Sequence, residues 1–353
     1  MDLTDDDKYL RSLCKTLNER EKVVALIIDE IHTKSTFTYK QDGFKGLAEN
    51  PVPRSDHAKT IQAFMIASVF GNFHQIAKLV PVSGCDGLQL KTMTEAIIKS
   101  VQIQGFKVVV VITDNHRVNQ ALFKHLCPGY GPRKNLSFAN PCHPEEEIFL
   151  KFDPVHIFKN IRNNWTLMKD VGKSFNYPNF ETGNIQVAKF HDLTQQFVED
   201  FGKTWKSAYK LNYQTIHPSS LQKQRVRLVC NIFDDSTIAA LRKNSEFIES
   251  AEFIQIIKNW WEIMNVKTMV KGFRKRNIFM EPFSSTDDWK IGWLEKFLAW
   301  LKLWGELDVD GKLKKDTYEA LYTSTEVTIK LIKYSFEKFH VKYVLTGNLL
   351  KSL

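Results

Sequence analysis

Cysteine is scarce in this sequence and is never arranged in close pairs. The 353 residues include five cysteines, and no two of them form a Cys-x-x-Cys pair. An odd number of scattered thiols is not a disulfide framework, and without close pairs the usual structural zinc sites are excluded as well. The spacing predicts reduced thiols, as in a protein that works inside the cell.

Long hydrophobic runs are also missing. No run of 18 apolar residues occurs, and the first residues, "MDLTDDDKYLRSL", contain no apolar core of a signal peptide. The sequence therefore predicts a soluble intracellular protein without a membrane span. Acidic residues are outnumbered by basic ones, which leaves a net charge of +9. That excess favours a polyanionic partner, nucleic acid before membrane.

Glycine-rich phosphate loops are the third absence. No G-x-G-x-x-G pattern follows a predicted strand, which counts against a dinucleotide site. "VGKSFN", residues 171 to 176, resembles the end of a phosphate loop, but Leu167 stands where that loop needs its first glycine. A doubly wound nucleotide-binding fold is therefore the weaker of two α/β alternatives.

Two long apolar segments end at carboxylates. "VVALIIDEIH", residues 23 to 32, runs into Asp29 and Glu30, and "KVVVVITD", residues 107 to 114, ends at Asp114. Such runs are typical of strands buried on both faces of a mostly parallel sheet. A polar residue at a strand end is common, so the two acids indicate a functional site only if the two strands are neighbours in the sheet.

The first 165 residues alternate between strand and helix patterns around these two segments. "TFTYK" and "GFKGLAEN" predict a hairpin about a "QDG" turn, "AFMIASVFG" and "EIFLKFD" predict further strands, and helices are predicted before Gly105, over "NQALFKHL" and from Pro154. A hairpin-first mixed sheet of order 3-2-1-4-5 would place the two acid-tipped strands side by side, as in ribonuclease-H-like folds. Two facing carboxylates repel unless a divalent cation lies between them, and hard oxygen ligands suit Mg²⁺ or Mn²⁺.

From residue 166 onward the sequence predicts a mostly helical domain. The predicted helices include residues 191–211, "SAEFIQIIKNWWEIMNV", "DWKIGWLEKFLAWLKLWGEL" and "DTYEALYTSTEVTIKLIKYSFEKF", and strand signals nearly vanish. In the third of these helices the residues Trp289, Trp293, Phe297, Trp300 and Trp304 recur at three- and four-residue spacing. That stripe predicts a face turned toward the core.

Several phrases taken together resemble the transposases of the P element group, including the THAP-domain transposases. They are "LIIDEI", "YKQDGFKG", "AFMIASVFGNF", "VVVVITDNHRVNQALFKHL" and "FDPVHIFKNIRNNW", in the family's order and at similar spacing. The resemblance implies a ribonuclease-H-like DDE catalytic domain over residues 1–165 and a helical GTP-binding insertion over residues 166–353. It further implies Mg²⁺ or Mn²⁺ and GTP as cofactors, DNA at transposon ends as the partner, a nuclear location, and room for a homo-oligomer.

The resemblance also assigns residues. Asp29 and Asp114 match the family's first two catalytic, metal-binding aspartates. The candidates for GTP binding, matched more loosely, are Lys210, Arg225, Val226, Trp261, Glu262 and Asn265. The candidates for DNA binding on the helix entering the insertion are His156, Lys159 and Arg162, for which a solvated basic face with a buried histidine is the alternative. The acid-free segment "KTMVKGFRKRN", residues 267 to 277, adds Lys271, Arg274, Lys275 and Arg276, with nuclear import or a plain solvated loop as its alternatives.

One part of the family pattern is not found. The third catalytic acid follows a Tyr-x-Leu-Thr-Gly segment in the family, whereas this sequence reads "KYVLTGNLLKSL" without it, and no Cys/His THAP module precedes Met1. Glu30 and Asp153 are the nearby acids that could substitute, but strand alternation turns Glu30 to the other face and capping explains Asp153. The expectation is a transposase core fragment that is inactive by itself; the alternative is a domesticated, non-catalytic DNA-binding or assembly protein.

Overall fold

The computed structural model describes residues 5–33, 38–40, 43–45, 48 and 57–350. The chain divides into two compact units, one formed by Met1–Asp153 with Glu337–Leu353 and the other by Pro154–Phe336. The second unit is thus an insertion within the sequence of the first. Among the described residues, no helix is both long and apolar enough to cross a bilayer.

The first unit is an α/β unit. Its elements are α1 (Asp5–Thr16), β1 (Val23–His32), β2 (Thr38–Lys40), β3 (Gly43–Lys45), β4 (Thr60–Ser68), β5 (His74–Val82), α2 (Gly87–Ile103), β6 (Lys107–Thr113), α3 (Arg117–Leu126), β7 (Ser137–Ala139) and β8 (Glu147–Phe152), with a 3-10 turn over Thr346–Leu349.

Six of these strands form one mixed sheet in the order β5-β4-β1-β6-β8-β7. β1, β6 and β8 are parallel, whereas β4, β5 and β7 pair antiparallel with their neighbours. Without the short edge strand β7 this is the predicted 3-2-1-4-5 order. The apolar runs in β1 and β6 are buried because both strands lie in the middle of the sheet.

The hairpin predicted before the third strand is placed differently. β2 and β3 do pair, but as a separate two-stranded sheet, and the outer strands of the main sheet are β4 and β5. The rest of that predicted hairpin lies largely outside the described residues. β5 was not predicted from the sequence. The pairing register shifts between Phe64 and Met65 of β4, and the buried positions of β5 therefore do not alternate regularly.

The chain returns to the first unit after the insertion. Asn348 donates from Nδ2 to the carbonyl oxygen of Val69 at 3.0 Å, and Lys151 donates from Nζ to the carbonyl oxygen of Leu349 at 3.2 Å. Leu349 is itself buried. The segment around the last 3-10 turn is therefore part of the core of this unit.

The second unit is mostly helical, as predicted. It contains α4 (Pro154–Thr166), β9 (Ser174–Pro178), β10 (Ile185–Lys189), α5 (Phe190–Glu199), α6 (Tyr213–Ile216), α7 (Val226–Ile232), α8 (Asp235–Leu241), α9 (Ile248–Met264), α10 (Lys271–Lys275) and α11 (Trp289–Glu306), and α12 (Lys315–Phe339) leads out of it. The antiparallel ribbon of β9 and β10 was not predicted.

Tryptophans join that ribbon to the helices. The indole N–H groups of Trp300 and Trp304 donate to carbonyl oxygens of β9, and the indole of Trp165 donates to Ala188 of β10. All three rings are buried, whereas Trp289 at the start of the predicted stripe is 45% exposed. The aromatic stripe faces the core over most of its length, because its rings also satisfy the ribbon's backbone acceptors.

The helix predicted over residues 191–211 is shorter in the structure. α5 ends at Glu199, and Gly202 follows with φ of +77°, a conformation that ends a helix. The buried carboxylate of Asp200 then accepts from the backbone N–H of Ala208 at 2.7 Å. The periodic aromatic residues beyond Gly202 therefore lie in turns.

Candidate metal centre and nucleotide-binding residues

Asp29 and Asp114 lie at the same edge of the main sheet. β1 and β6 are parallel, with Ile27 opposite Ile112, and each aspartate lies two residues further along its strand direction. The pairing ends at Ile27 and Ile112, and an ideal continuation of the register would put the two aspartates opposite each other on the same face of the sheet. Both side chains are half-buried. Both predicted acids thus follow the carboxyl ends of neighbouring parallel strands.

Local hydrogen bonds orient the Asp114 carboxylate. Its Oδ1 accepts from the backbone N–H of His116 at 2.9 Å and from Nδ2 of Asn119 at 2.7 Å, just before and within α3. Asp29 accepts from the backbone N–H of Glu30 at 2.8 Å. Asn119 was not singled out from the sequence. The local signal for it is an aspartate that is followed, two and five residues later, by groups that can donate hydrogen bonds to its carboxylate.

Asp153 is the next acid in the same row. Thr113 of β6 pairs with Phe152 of β8, and the backbone N–H of Asp153 donates to the carbonyl oxygen of Thr113 at 2.8 Å. Asp153 is fully buried. Burial lowers the pKa of Lys151 from 10.5 to about 7, although the charge of Asp153 acts to raise it.

The described residues contain no group of three or more His, Cys, Asp and Glu side chains able to hold a metal ion. Glu30 is exposed and pairs across to Gln62 of β4, so strand alternation directs it away from the face of Asp29. Asp29 and Asp114 remain as two carboxylates that fit a hard divalent cation, whose other ligands would be water or substrate oxygens.

In the second unit, Lys210 is the predicted nucleotide ligand with the most defined contact. Its Nζ lies 2.6 Å from Oδ2 of Asp234, and this hydrogen bond raises the pKa of Lys210. Burial acts to raise the pKa of Asp234, but hydrogen bonds from Lys210 and Ser236 together lower it. Arg225 immediately precedes α7 and is exposed, and Val226 is the first residue of that helix.

Glu262 belongs to a second polar group that adjoins the first. Its Oε1 lies 2.7 Å from Nζ of Lys258, and its Oε2 accepts from Nδ2 of Asn277 at 3.0 Å. Lys258 also lies 3.1 Å from Asp235, the neighbour of Asp234 in sequence. Lys210 and Glu262 are thus linked through two consecutive aspartates. Both oxygens of Glu262 already accept, so a bound base would have to replace one of these partners.

Trp261 and Asn265 lie near that group at the end of α9. The ring of Trp261 stacks on Phe158 at a centroid distance of 4.4 Å, so one of its faces is covered. Asn265 follows the last residue of α9, and its buried Oδ1 has no hydrogen-bond partner within the described residues. A buried amide oxygen without a donor carries a cost, which a ligand N–H would relieve.

The predicted DNA-binding residues of α4 are not on a solvated face. Arg162 is fully buried, donates from Nη2 to the carbonyl oxygen of Lys223 at 2.8 Å, and has its pKa lowered to about 10 by burial. Lys159 is buried as well, and His156 is half-buried.

In contrast to the buried basic residues of α4, most basic side chains of the segment at residues 267–277 that were predicted to bind DNA are exposed. Arg274, Lys275 and Arg276 are exposed, Lys271 is half-buried, and no ion pair to any of the four is found among the described side chains. Arg276 follows α10 in a left-handed conformation with φ of 51°. Three of these four basic side chains are therefore accessible to a polyanion.

Comparisons with known proteins agree with this architecture. Residues 8–127 match the family described as the TNP-like ribonuclease H N-terminal domain. The transposable element P transposase of Drosophila melanogaster is 24% identical over 260 residues, which cover 72% of this chain and 32% of that protein. The Drosophila P element transposase strand transfer complex has a similar fold, with a TM-score of 0.76, 19% identity, and coverage of 99% of this chain and 71% of that one. The aligned region is thus about a third of the length of the curated relative.

Proposed function

We propose that this chain is a relative of the P element-type transposases that it resembles, and that its ribonuclease-H-like unit binds Mg²⁺ or Mn²⁺ between Asp29 and Asp114 for cutting and joining DNA. The parallel register of β1 and β6 carries the proposal, because it puts both carboxylates at one sheet edge. A metal ion bound there would activate a water or 3′-hydroxyl nucleophile and stabilise the leaving oxygen. Asn119 and the backbone of His116 would hold the Asp114 carboxylate toward it.

We expect these 353 residues by themselves not to cleave DNA at a measurable rate. The described residues contain no group of three metal-ligating side chains, and Asp153, the third acid at this sheet edge, is fully buried. A two-metal centre needs more carboxylate to hold both ions beside a phosphate. The test compares Mn²⁺-dependent nicking of a supercoiled plasmid by this chain and by Asp29→Ala. Equal background rates are the expected result. Nicking that requires Asp29 would contradict the inactivity and would support the metal site.

The second unit is proposed to bind GTP through the linked polar groups of Lys210 and Glu262. The proposal is supported by the neighbouring ion pairs of these residues and by the buried, unsatisfied amide oxygen of Asn265. Lys210→Ala is expected to weaken binding of a fluorescent GTP analogue by about 10- to 100-fold, as for loss of a hydrogen bond to a charged group. Lys243→Ala is the matched control, since that lysine donates nearby to Ser207. Equal affinities of Lys210→Ala and the parent chain would remove the lysine from the site.

A second candidate function is a non-catalytic, DNA-binding or assembly protein derived from a transposase and located in the nucleus. The exposed charges of Arg274, Lys275 and Arg276, which form no ion pair with a described side chain, favour it. Substituting all three with Gln should reduce the slope of log affinity against log salt by about 3 for duplex DNA, because each phosphate contact contributes about 0.9.

The control for that measurement replaces three exposed lysines elsewhere, Lys302, Lys315 and Lys330, with Gln. An equal fall in slope for the two triple variants would show that general charge, and not this segment, attracts DNA. DNA binding by His156, Lys159 and Arg162 stays a prediction, and the burial of Lys159 and Arg162 means that it would require them to become accessible.

A further inference from the structure

Four exposed aromatic side chains lie in the stretch from the end of α5 to the first residue of α6. Phe201, Trp205, Tyr209 and Tyr213 recur at every fourth position and are 76%, 90%, 65% and 68% exposed. Aromatic side chains of this size are usually at least partly covered, and a cluster of exposed apolar side chains marks a binding surface more often than chance exposure does. We refer to these four residues together with Lys203 and Lys206 as the aromatic–lysine surface.

The backbone beneath this surface is fixed. The Asp200 carboxylate, 3% exposed, accepts from the N–H of Ala208, and the side chains of Ala208 and Leu211 are buried. Lys210 is tied to Asp234 at 2.6 Å. Because inward residues anchor the segment at several points, the aromatic rings are held outward by its fold.

The charge around the rings is positive. Lys203 and Lys206 are both exposed, and Lys206 forms no ion pair with any described carboxylate. Among the acids near these rings, Asp200 is buried and lies 4.0 Å from Nζ of Lys203, Asp234 is paired with Lys210, and Glu199 is exposed.

A partner for this surface must offer flat apolar faces and negative charge together. Unpaired DNA does so, because its bases stack on aromatic rings while its phosphates contact lysines. Duplex DNA hides its base faces, and a second copy of this chain would bring another net charge of +9. Charge complementarity therefore favours a single strand.

We propose that the aromatic–lysine surface binds single-stranded DNA by stacking bases on Phe201, Trp205, Tyr209 and Tyr213. This inference rests on the proposed DNA function for the origin of the strand, but it needs neither the metal site nor GTP. It assigns a role to residues that lie outside every site described above.

The experiment measures binding of a fluorescent single-stranded oligothymidylate to the full chain in EDTA. Trp205→Ala is expected to lower affinity by about 5- to 100-fold, the range that loss of one stacked base produces. Trp205→Phe should retain most of the affinity, whereas Trp205→Leu, which is apolar but cannot stack, should lose as much as alanine. Trp289→Ala is the control, because Trp289 is an exposed tryptophan on α11.

The variants are first compared by thermal melting, and little change is expected because the Trp205 side chain is almost fully exposed. Unchanged single-strand affinity in Trp205→Ala and Phe201→Ala would overturn the proposal, as would equal affinities of the Phe and Leu variants. If duplex binding with its salt dependence persisted in that case, the proposed function would stand without this surface. Single-strand binding that requires Trp205, in a chain whose duplex binding is unchanged by replacing Arg274, Lys275 and Arg276, would have the opposite meaning: this surface would stand and the proposed role of the basic segment would not.

Discussion

Asp114→Ala is expected to reduce the affinity of this chain for Mn²⁺ by about 100-fold or more. Even residues that only hydrogen-bond to a metal ligand change affinity by about 10- to 100-fold when they are removed, and a direct ligand should cost at least as much. The parallel pairing of β1 and β6 makes Asp29→Ala equivalent, since the two carboxylates share one edge of the sheet. Isothermal titration with Mn²⁺ measures the affinity.

Two further variants sharpen that test. Asn119→Ala removes the 2.7 Å hydrogen bond to Asp114 and should weaken Mn²⁺ binding by about 10- to 100-fold, because the carboxylate loses its orientation. Glu30→Gln is the matched control and should bind as the parent chain does, because Glu30 is exposed on the other face of β1. Mn²⁺ binding unaffected by Asp29→Ala and by Asp114→Ala would place the ion elsewhere.

The centre of the sheet could be predicted from the sequence because burial on both faces leaves a continuous apolar run. β1 and β6 are such strands, and their terminal aspartates follow directly from the run. β5 gives no comparable signal, since it lies at an edge, contains Pro81, and pairs through a shifted register. β7 has three residues and is too short for any periodicity.

The second unit shows another limit of periodicity. Residues 191–211 present aromatic residues at helical spacing, yet the helix ends at Glu199 because Gly202 takes a positive φ and Asp200 captures the N–H of Ala208. These local contacts end the helix although the aromatic residues continue at helical spacing, because the aromatic side chains beyond Gly202 are exposed and do not pack against a core. Two of the three indole donors that hold the ribbon of β9 and β10 are 122 and 128 residues away from their acceptors, so no local stretch of sequence contains both partners.

Arg162 illustrates why site residues are harder to predict than strands. A basic residue on a helix is solvated on most surfaces, and a side chain of this kind is rarely buried without a carboxylate. Here it lies in the interior and donates to the carbonyl oxygen of Lys223, a partner 61 residues away. Its burial depends on tertiary packing against the 3-10 turn at Gln222–Gln224, and nothing in the sequence around α4 indicates that contact.

The stability of the folded chain should rise with pH between about pH 7 and pH 10, and Lys151 should be a main cause. Burial lowers the pKa of Lys151 from 10.5 to about 7, whereas the unfolded chain keeps the ordinary value. Within that interval the unfolded state holds the proton and the folded state does not, so raising the pH favours folding. Below pH 7 the amine is protonated in both states, and the folded state bears the cost of a buried charge.

Lys151→Met is expected to remove most of this pH dependence. The gain of the parent chain between pH 6.5 and pH 9.5 attributable to Lys151 should be on the order of a few kcal/mol, since each unit of pKa difference corresponds to about 1.4 kcal/mol. Met keeps the apolar stem but loses the 3.2 Å hydrogen bond to Leu349, so the variant can be less stable at high pH while its stability changes little with pH.

Urea unfolding at both pH values gives the free energies of unfolding. Lys315→Met, at a lysine whose side chain is 84% exposed, is the control that should retain the parent's pH response. If Lys151→Met and Lys315→Met respond equally to pH, the buried amine is not the group that titrates, and the contact between β8 and the returning segment must be stabilised without a proton equilibrium.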